Sequence, residues 1–319
     1  MMNTLSVSSY SVREQLGPVS FAFTDPEGVS RTFTFDNPKL LELSEFPQRA
    51  RDAFGVDAIE TVGFQFAGLD DPELDRFAEA LTASGVRLVN VALDTGDLLE
   101  PDDDARTADI VELERWIDRF AAMGAQFVRV NPGSPFSPHH GEEPPSHLVA
   151  ALVRLGEHAA SRGSRLLVEN HGGPSSDPVW MNALLAAVGR ESCGLLLDLG
   201  NFDVLMQPAM ALLFGTPDGE AVDPALLFAS VDLEPLYDGI EALAARAELV
   251  HVKAHHVADD GTVGAVDLGR AIGILERHGY DGPLTVEYEG SGGDPWQKTA
   301  RVLEVTADAV SVEASEAGR

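Results

Sequence analysis

LLVENH (166–171), GLLLDLGN (194–201), ELVHVKAHH (248–256) and PLTVEYEG (283–290) decide the reading of this chain. Each is a short run of apolar and β-branched residues, the pattern of a strand buried on both faces of a parallel sheet. Each also carries a metal-binding residue type near its C-terminal end: Glu169, Asp198, His251 and Glu287. Four strands that deliver two Glu, one Asp and one His to the same end of one sheet make a divalent-metal site.

Working outward, the same kind of strand recurs at 4–12, 59–66, 86–93 and 125–132, eight in all with 165–171, 194–201, 248–255 and 283–290. Between most of them lie amphipathic stretches with apolar residues three and four apart, such as 71–85, 107–124, 146–163, 266–279 and 294–310. Several of these end in Gly just before the next strand, at Gly85, Gly124 and Gly163, where a left-handed cap is expected. Eight strand-then-helix units close most simply into a (β/α)8 TIM barrel of class α/β, with its active site at the C-terminal ends of the strands. The chain is read as one barrel domain over 1–310 with a flexible tail over 311–319. Two segments interrupt the repeat. Residues 17–36 alternate Phe and Val about Pro26-Glu27-Gly28 and read as a β-hairpin inserted after the first strand. The connection from Phe202 to about Leu236 reads as a long loop after the sixth strand, its apolar residues suited to a pocket wall, an oligomer contact or a helical insertion.

Composition narrows the function. Fifty-two acidic residues against 22 Lys and Arg leave a formal charge of -30, which opposes binding to phosphate backbones or anionic lipid. Nucleic acid and membrane are therefore excluded as partners. A single cysteine, Cys193, allows no internal disulfide, and with no leader or membrane span in the sequence the expected location is cytoplasmic.

The segments VENHGG, LLLDLGNF, VHVKAHH and DGPLTVEYEG after ILERHGY resemble the sugar phosphate isomerase/epimerase family, the xylose-isomerase-like TIM barrels. The resemblance runs from the first strand to Val310 and is most specific from Arg165 to Gly290. It implies one divalent metal ion held by Glu169, Asp198, His251 and Glu287, and an isomerase or epimerase of a carbohydrate. In the family's ketose epimerases the fifth- and eighth-strand Glu act as paired acid and base on opposite faces of the sugar, here Glu169 and Glu287. The family also contains lyases and catalytic subunits of C-glycoside deglycosidases, which remove a proton beside a 3-keto group and expel the aglycone by β-elimination. That implies a small-molecule carbohydrate substrate, and either a homo-oligomer or a small partner subunit.

The chemistry is legible in the residues as well. Carboxylate oxygens with one imidazole suit Mn²⁺ first, then Co²⁺, Zn²⁺ or Mg²⁺, and the absence of thiolates argues against soft metals. Acting as a Lewis acid on a carbonyl and its neighbouring hydroxyl, such an ion stabilises the enediolate left when the adjacent carbon loses a proton. His171, two residues from Glu169 on the same side of the strand, is a further catalytic candidate, and so is Lys253, two residues beyond His251. Asn201, Asn131 and His255 are the candidates for binding substrate hydroxyls, whereas His256 points away. His139, His140, Glu60, Gln65 and Trp296 are weaker candidates. Ketose 3-epimerases carry His where Asn201 stands and Arg soon after the position of His251; both differ here, which argues against a free ketohexose. A barrel that binds sugar without turning it over is the remaining alternative.

Overall fold

The computed structural model describes residues 3–24, 30–133, 143–214 and 223–317. In chain order the strands are β1 (Leu5–Ser8), β2 (Val19–Thr24), β3 (Ser30–Phe35), β4 (Ala58–Val62), β5 (Arg87–Leu93), β6 (Phe127–Val130), β7 (Arg165–Glu169), β8 (Gly194–Asp198), β9 (Ala247–Ala254), β10 (His256–Val257), β11 (Val263–Gly264) and β12 (Leu284–Tyr288). The helices are α1 (Phe46–Phe54), α2 (Pro72–Ser84), α3 (Asp103–Ala121), α4 (Ser146–Ser161), α5 (Pro178–Val188), α6 (Asp203–Phe214), α7 (Pro224–Ala229), α8 (Glu234–Leu243), α9 (Leu268–Arg277) and α10 (Pro295–Ala317). Strands β1, β4, β5, β6, β7, β8, β9 and β12 pair in parallel and close into a barrel, with β12 returning to β1. The (β/α)8 architecture read from the eight apolar runs is therefore the one observed.

The helix starts and stops follow local chemistry. Asp71, Asp102, Asp177 and Asp267 each cap a helix by accepting a backbone N–H in its first turn. At the other end Gly85 closes α2 with φ at 67° and its N–H on Leu81 O, the left-handed cap that a residue without Cβ takes at no steric cost.

The hairpin forms as β2 paired antiparallel to β3, from Val19 opposite Phe35 to Thr24 opposite Ser30, and its Pro-Glu-Gly turn lies outside the described residues. Most barrel strands are shorter than the sequence suggests, and the first two show why. The first ends at Ser8, whose hydroxyl accepts the Tyr10 N–H and turns the chain into a 3₁₀ segment over 9–15. The second ends at Val62, before another short turn over 63–65. The long connection after the sixth strand carries helices α6, α7 and α8, the helical insertion among the readings offered for it, with 215–222 outside the described residues. Leu205 of α6 and Leu236 and Ile240 of α8 are fully buried, so much of the apolar content of this connection joins the core rather than a free surface. Helix α10 runs on through residues 311–317.

The barrel interior is layered. Ala58, Val89, Phe127, Leu167, Leu196 and Leu249 form an apolar floor separate from the larger core between barrel and helices. Two residues further along five of these strands, on the same face, stand Glu60, Arg129, Glu169, Asp198 and His251. On β5 the step fails, because a register shift makes Ile59 pair with Leu88 but Glu60 with Asn90. This bulge brings Asn90 beside Glu60 in place of Val89.

Candidate metal centre and active site

His251, 1% exposed, organises the polar layer. Its Nε2 meets Glu60 Oε2 at 2.8 Å, and Asn90 Nδ2 donates to the same oxygen at 2.8 Å. With Nε2 held there, Nδ1 faces Asp198 Oδ2 at 3.5 Å, Glu287 Oε2 at 3.6 Å and Glu169 Oε1 at 3.7 Å, and makes no hydrogen bond. A divalent ion bound at about 2.0–2.2 Å from each N or O donor places neighbouring donors roughly 3.0–3.6 Å apart, close to the separation of these three oxygens from Nδ1. These residues contain two groups able to hold a metal ion, Glu169–Asp198–His251 and Glu60–His251–Glu287. The four residues expected as ligands converge, and the structure adds Glu60.

The electrostatics fit a cation at the centre. Burial raises the Glu169 carboxyl to about 8, with Asp198 acting in the same direction, and burial also raises Glu287. For His251 burial acts downward, but the carboxylates of Glu60 and Glu287 outweigh it and hold the imidazole protonated well above its usual range. A proton therefore sits where three carboxylates meet, the place a metal ion would take.

Lys253 lies two residues further along β9. Its ammonium is 3.0 Å from Asp198 Oδ2, 3.2 Å from Glu287 Oε2 and 3.0 Å from Glu289 Oε1, and donates to Asn201 Oδ1 at 3.3 Å. Burial alone would lower its pKa, yet Asp198, Glu289 and Glu287 raise it well above the ordinary value, so it is a fixed positive charge. Asn201 joins the two sides of the site, since its Nδ2 donates to Glu169 Oε1 at 3.1 Å. His255 is buried with Nδ1 3.5 Å from Glu289 Oε2 and its ring stacked on Phe228 at 5.6 Å. His256 pairs in the small β10–β11 ribbon instead.

On the far side of Glu169, Arg129 reaches Glu169 Oε2 with Nε at 2.7 Å and donates from Nη1 to Asp94 and to Asn131 Oδ1, the latter at 2.9 Å. Asn131 Nδ2 donates to Asp94 Oδ1 at 2.8 Å. Asn131, expected to meet substrate, thus has one N–H and one lone pair engaged within the protein, as Asn201 has. Burial acts to raise Asp94, but Arg129 overrides it and brings the carboxyl to about 2. His171 has its main-chain N–H on Ser175 Oγ, and burial lowers its imidazole to about 4, leaving a neutral side chain at pH 7 that feels Asp94, Arg129 and Lys253.

Glu60, Asn90, Asp94, Arg129 and Glu289 complete a site of which the sequence reading named only part. Arg129 inside the apolar run QFVRVN, and Glu289 in period with Glu287, were signals open to reading. Asn90 was hidden by the bulge. Gln65 hydrogen-bonds near Ser9 and Thr61, and Trp296 stacks on Phe54 among the outer helices, away from the metal-binding groups. His139 and His140 lie outside the described residues.

A family model described as a xylose isomerase-like TIM barrel matches residues 47–306. No curated protein matches the chain. Among solved structures, an L-ribulose 3-epimerase superposes with a TM-score of 0.66 at 17% identity, covering 99% of this chain and 97% of the other. A xylose isomerase-like barrel from Mycobacterium smegmatis in complex with magnesium gives 0.56 at 16%, covering 97% and 98%. A 3-keto-D-glucoside 4-epimerase from E. coli, in apo form, gives 0.54 at 14%, covering 82% and 92%. At such identities the likeness carries the fold.

Proposed function

We propose that this chain, which belongs to the xylose isomerase-like TIM barrel family, is a divalent-metal-dependent isomerase or epimerase of a keto sugar or sugar derivative. The observation that carries the reading is His251 Nδ1, buried, without a hydrogen bond and facing oxygens of Asp198, Glu169 and Glu287. Glu169, Asp198, His251 and Glu287 would hold one ion, Mn²⁺ in first place, and when bound it would supply Lewis acidity to a carbonyl and the hydroxyl beside it.

The chain's own residues do the rest. Glu60 keeps the His251 ring oriented, with Nε2 occupied and Nδ1 turned to the centre. A carboxylate of the Glu169 and Glu287 pair takes the proton from the carbon next to the carbonyl, in a site buried from bulk water. The Lys253 ammonium stands beside Glu287 to offset negative charge as the enediolate forms. Asn201, bridging Glu169 and Lys253, offers its amide to a substrate hydroxyl, and His255 and neutral His171 line the same mouth.

Elimination from a 3-keto-glycoside begins with the same proton abstraction and differs in the fate of the carbanion. Proton NMR in D₂O with a panel of ketoses and 3-keto-glycosides, on Mn²⁺-loaded and chelator-treated protein, tests the proposal. Metal-dependent loss of one C–H signal is expected, the product spectrum then separating epimer from released aglycone, and Glu287→Gln should slow that exchange by at least about 100-fold with the fold retained. Exchange at the full rate in Glu287→Gln would remove this residue from the proton transfer.

A further inference from the structure

We infer that Arg129 is a positioning residue: held by Asp94 and Asn131, its guanidinium pairs with the Glu169 carboxylate and sets the orientation in which Glu169 faces the metal centre. This rests on the reading of Glu169 as a metal ligand given above.

Arg129 projects into the barrel from β6, is 3% exposed, and cannot be deprotonated to escape burial. Asp94, just past the end of β5, and Asn131, just past the end of β6, both take hydrogen bonds from Nη1. Asn131 also donates to Asp94, so the three side chains form a closed ring of contacts. The guanidinium is planar, so with Nη1 fixed on that ring the direction of Nε is fixed as well. Nε lies 2.7 Å from Glu169 Oε2, an ion pair at close range in which the N–H is not aligned as a hydrogen bond.

The other oxygen of Glu169 is held on the opposite side, by Asn201 Nδ2 and facing His251 Nδ1. Oε2 thus faces the Arg129 ion pair while Oε1 takes the Asn201 hydrogen bond, so different residues set the two sides of the carboxylate.

The test uses chelator-treated full-length protein titrated with Mn²⁺, free ion being read by its electron paramagnetic resonance signal. The variants are Arg129→Met, Arg129→Lys and Asp94→Asn, each checked for fold by circular dichroism. Groups that orient a metal ligand typically cost 10–100-fold in affinity when removed, so Arg129→Met should weaken Mn²⁺ binding by about that factor. Arg129→Lys, which keeps the charge without the planar fork, should fall between it and the unsubstituted protein. Asp94→Asn, with Arg129 still present, should weaken binding about threefold or more. A purely structural part for Arg129 would lower thermal stability and leave the Mn²⁺ dissociation constant unchanged. Affinity within twofold of the unsubstituted protein in the folded variants would overturn the inference and leave the metal site intact. Failure of the unsubstituted protein to bind Mn²⁺ would instead remove the metal reading on which the inference rests.

Discussion

Lys253 is the residue on which the site's charge balance turns. Its ammonium lies within 3.2 Å of oxygens of Asp198, Glu287 and Glu289, with those side chains almost wholly out of water. Removing one member of such a network leaves the others buried and uncompensated, a loss of roughly 3–5 kcal/mol. Lys253→Met is therefore expected to destabilise the metal-free protein on that order in urea unfolding, with part of the loss recovered by saturating Mn²⁺. A change under about 1 kcal/mol would show that the carboxylates rely on another partner. His251 makes the complementary point. One ring nitrogen is committed to Glu60, which leaves the other for the centre, so a single buried hydrogen bond decides what the imidazole can do.

The strands act as rulers at the next scale. A period of two places floor and polar layer in register, from Phe127 to Arg129, Leu167 to Glu169, Leu196 to Asp198 and Leu249 to His251. The ring of helices must then seat closely against the barrel, and α4 shows how closely. Gly156 lies where an added Cβ would come within 2.1 Å of the Ser192 carbonyl oxygen, just before β8. Alanine would gain about 1 kcal/mol in helix propensity, but the contact is backbone and cannot swing aside. The clash should win, and Gly156→Ala is expected to lower stability by about 1–3 kcal/mol net in chemical denaturation. A stabilised variant would mean that α4 can shift outward without disturbing the start of β8.

For the molecule as a whole, a formal charge of -30 acts on every element at once. Surface pairs such as Arg270 with Glu234 and Arg154 with Glu114 attract locally, yet they are far outnumbered by unmatched carboxylates. Screening weakens both, and the repulsion is the larger sum, so the melting temperature should rise between about 10 mM and 300 mM NaCl, where the screening length falls below roughly 10 Å. A fall would give the surface pairs the greater weight. In its described residues no helix is long and apolar enough to cross a membrane.

Glu169, Asp198, His251 and Glu287 could be read from the sequence because strand periodicity and the rule that barrel sites gather at strand ends are local and repetitive. The eight strands and the inserted hairpin could be read for the same reason. The roles of Glu60 and Arg129 could not be ranked that way, since what distinguishes them is which atoms they meet across the barrel: Glu60 on β4 reaches His251 on β9, and Arg129 on β6 reaches Glu169 on β7. The bulge that turns Asn90 inward, and the division of Glu169 between Arg129 and Asn201, depend on registers between strands. Residue order alone determined which groups arrive at the mouth of the barrel; closure of the sheet, which brings Glu60 within hydrogen-bonding distance of His251, 191 positions away, decided how they are paired.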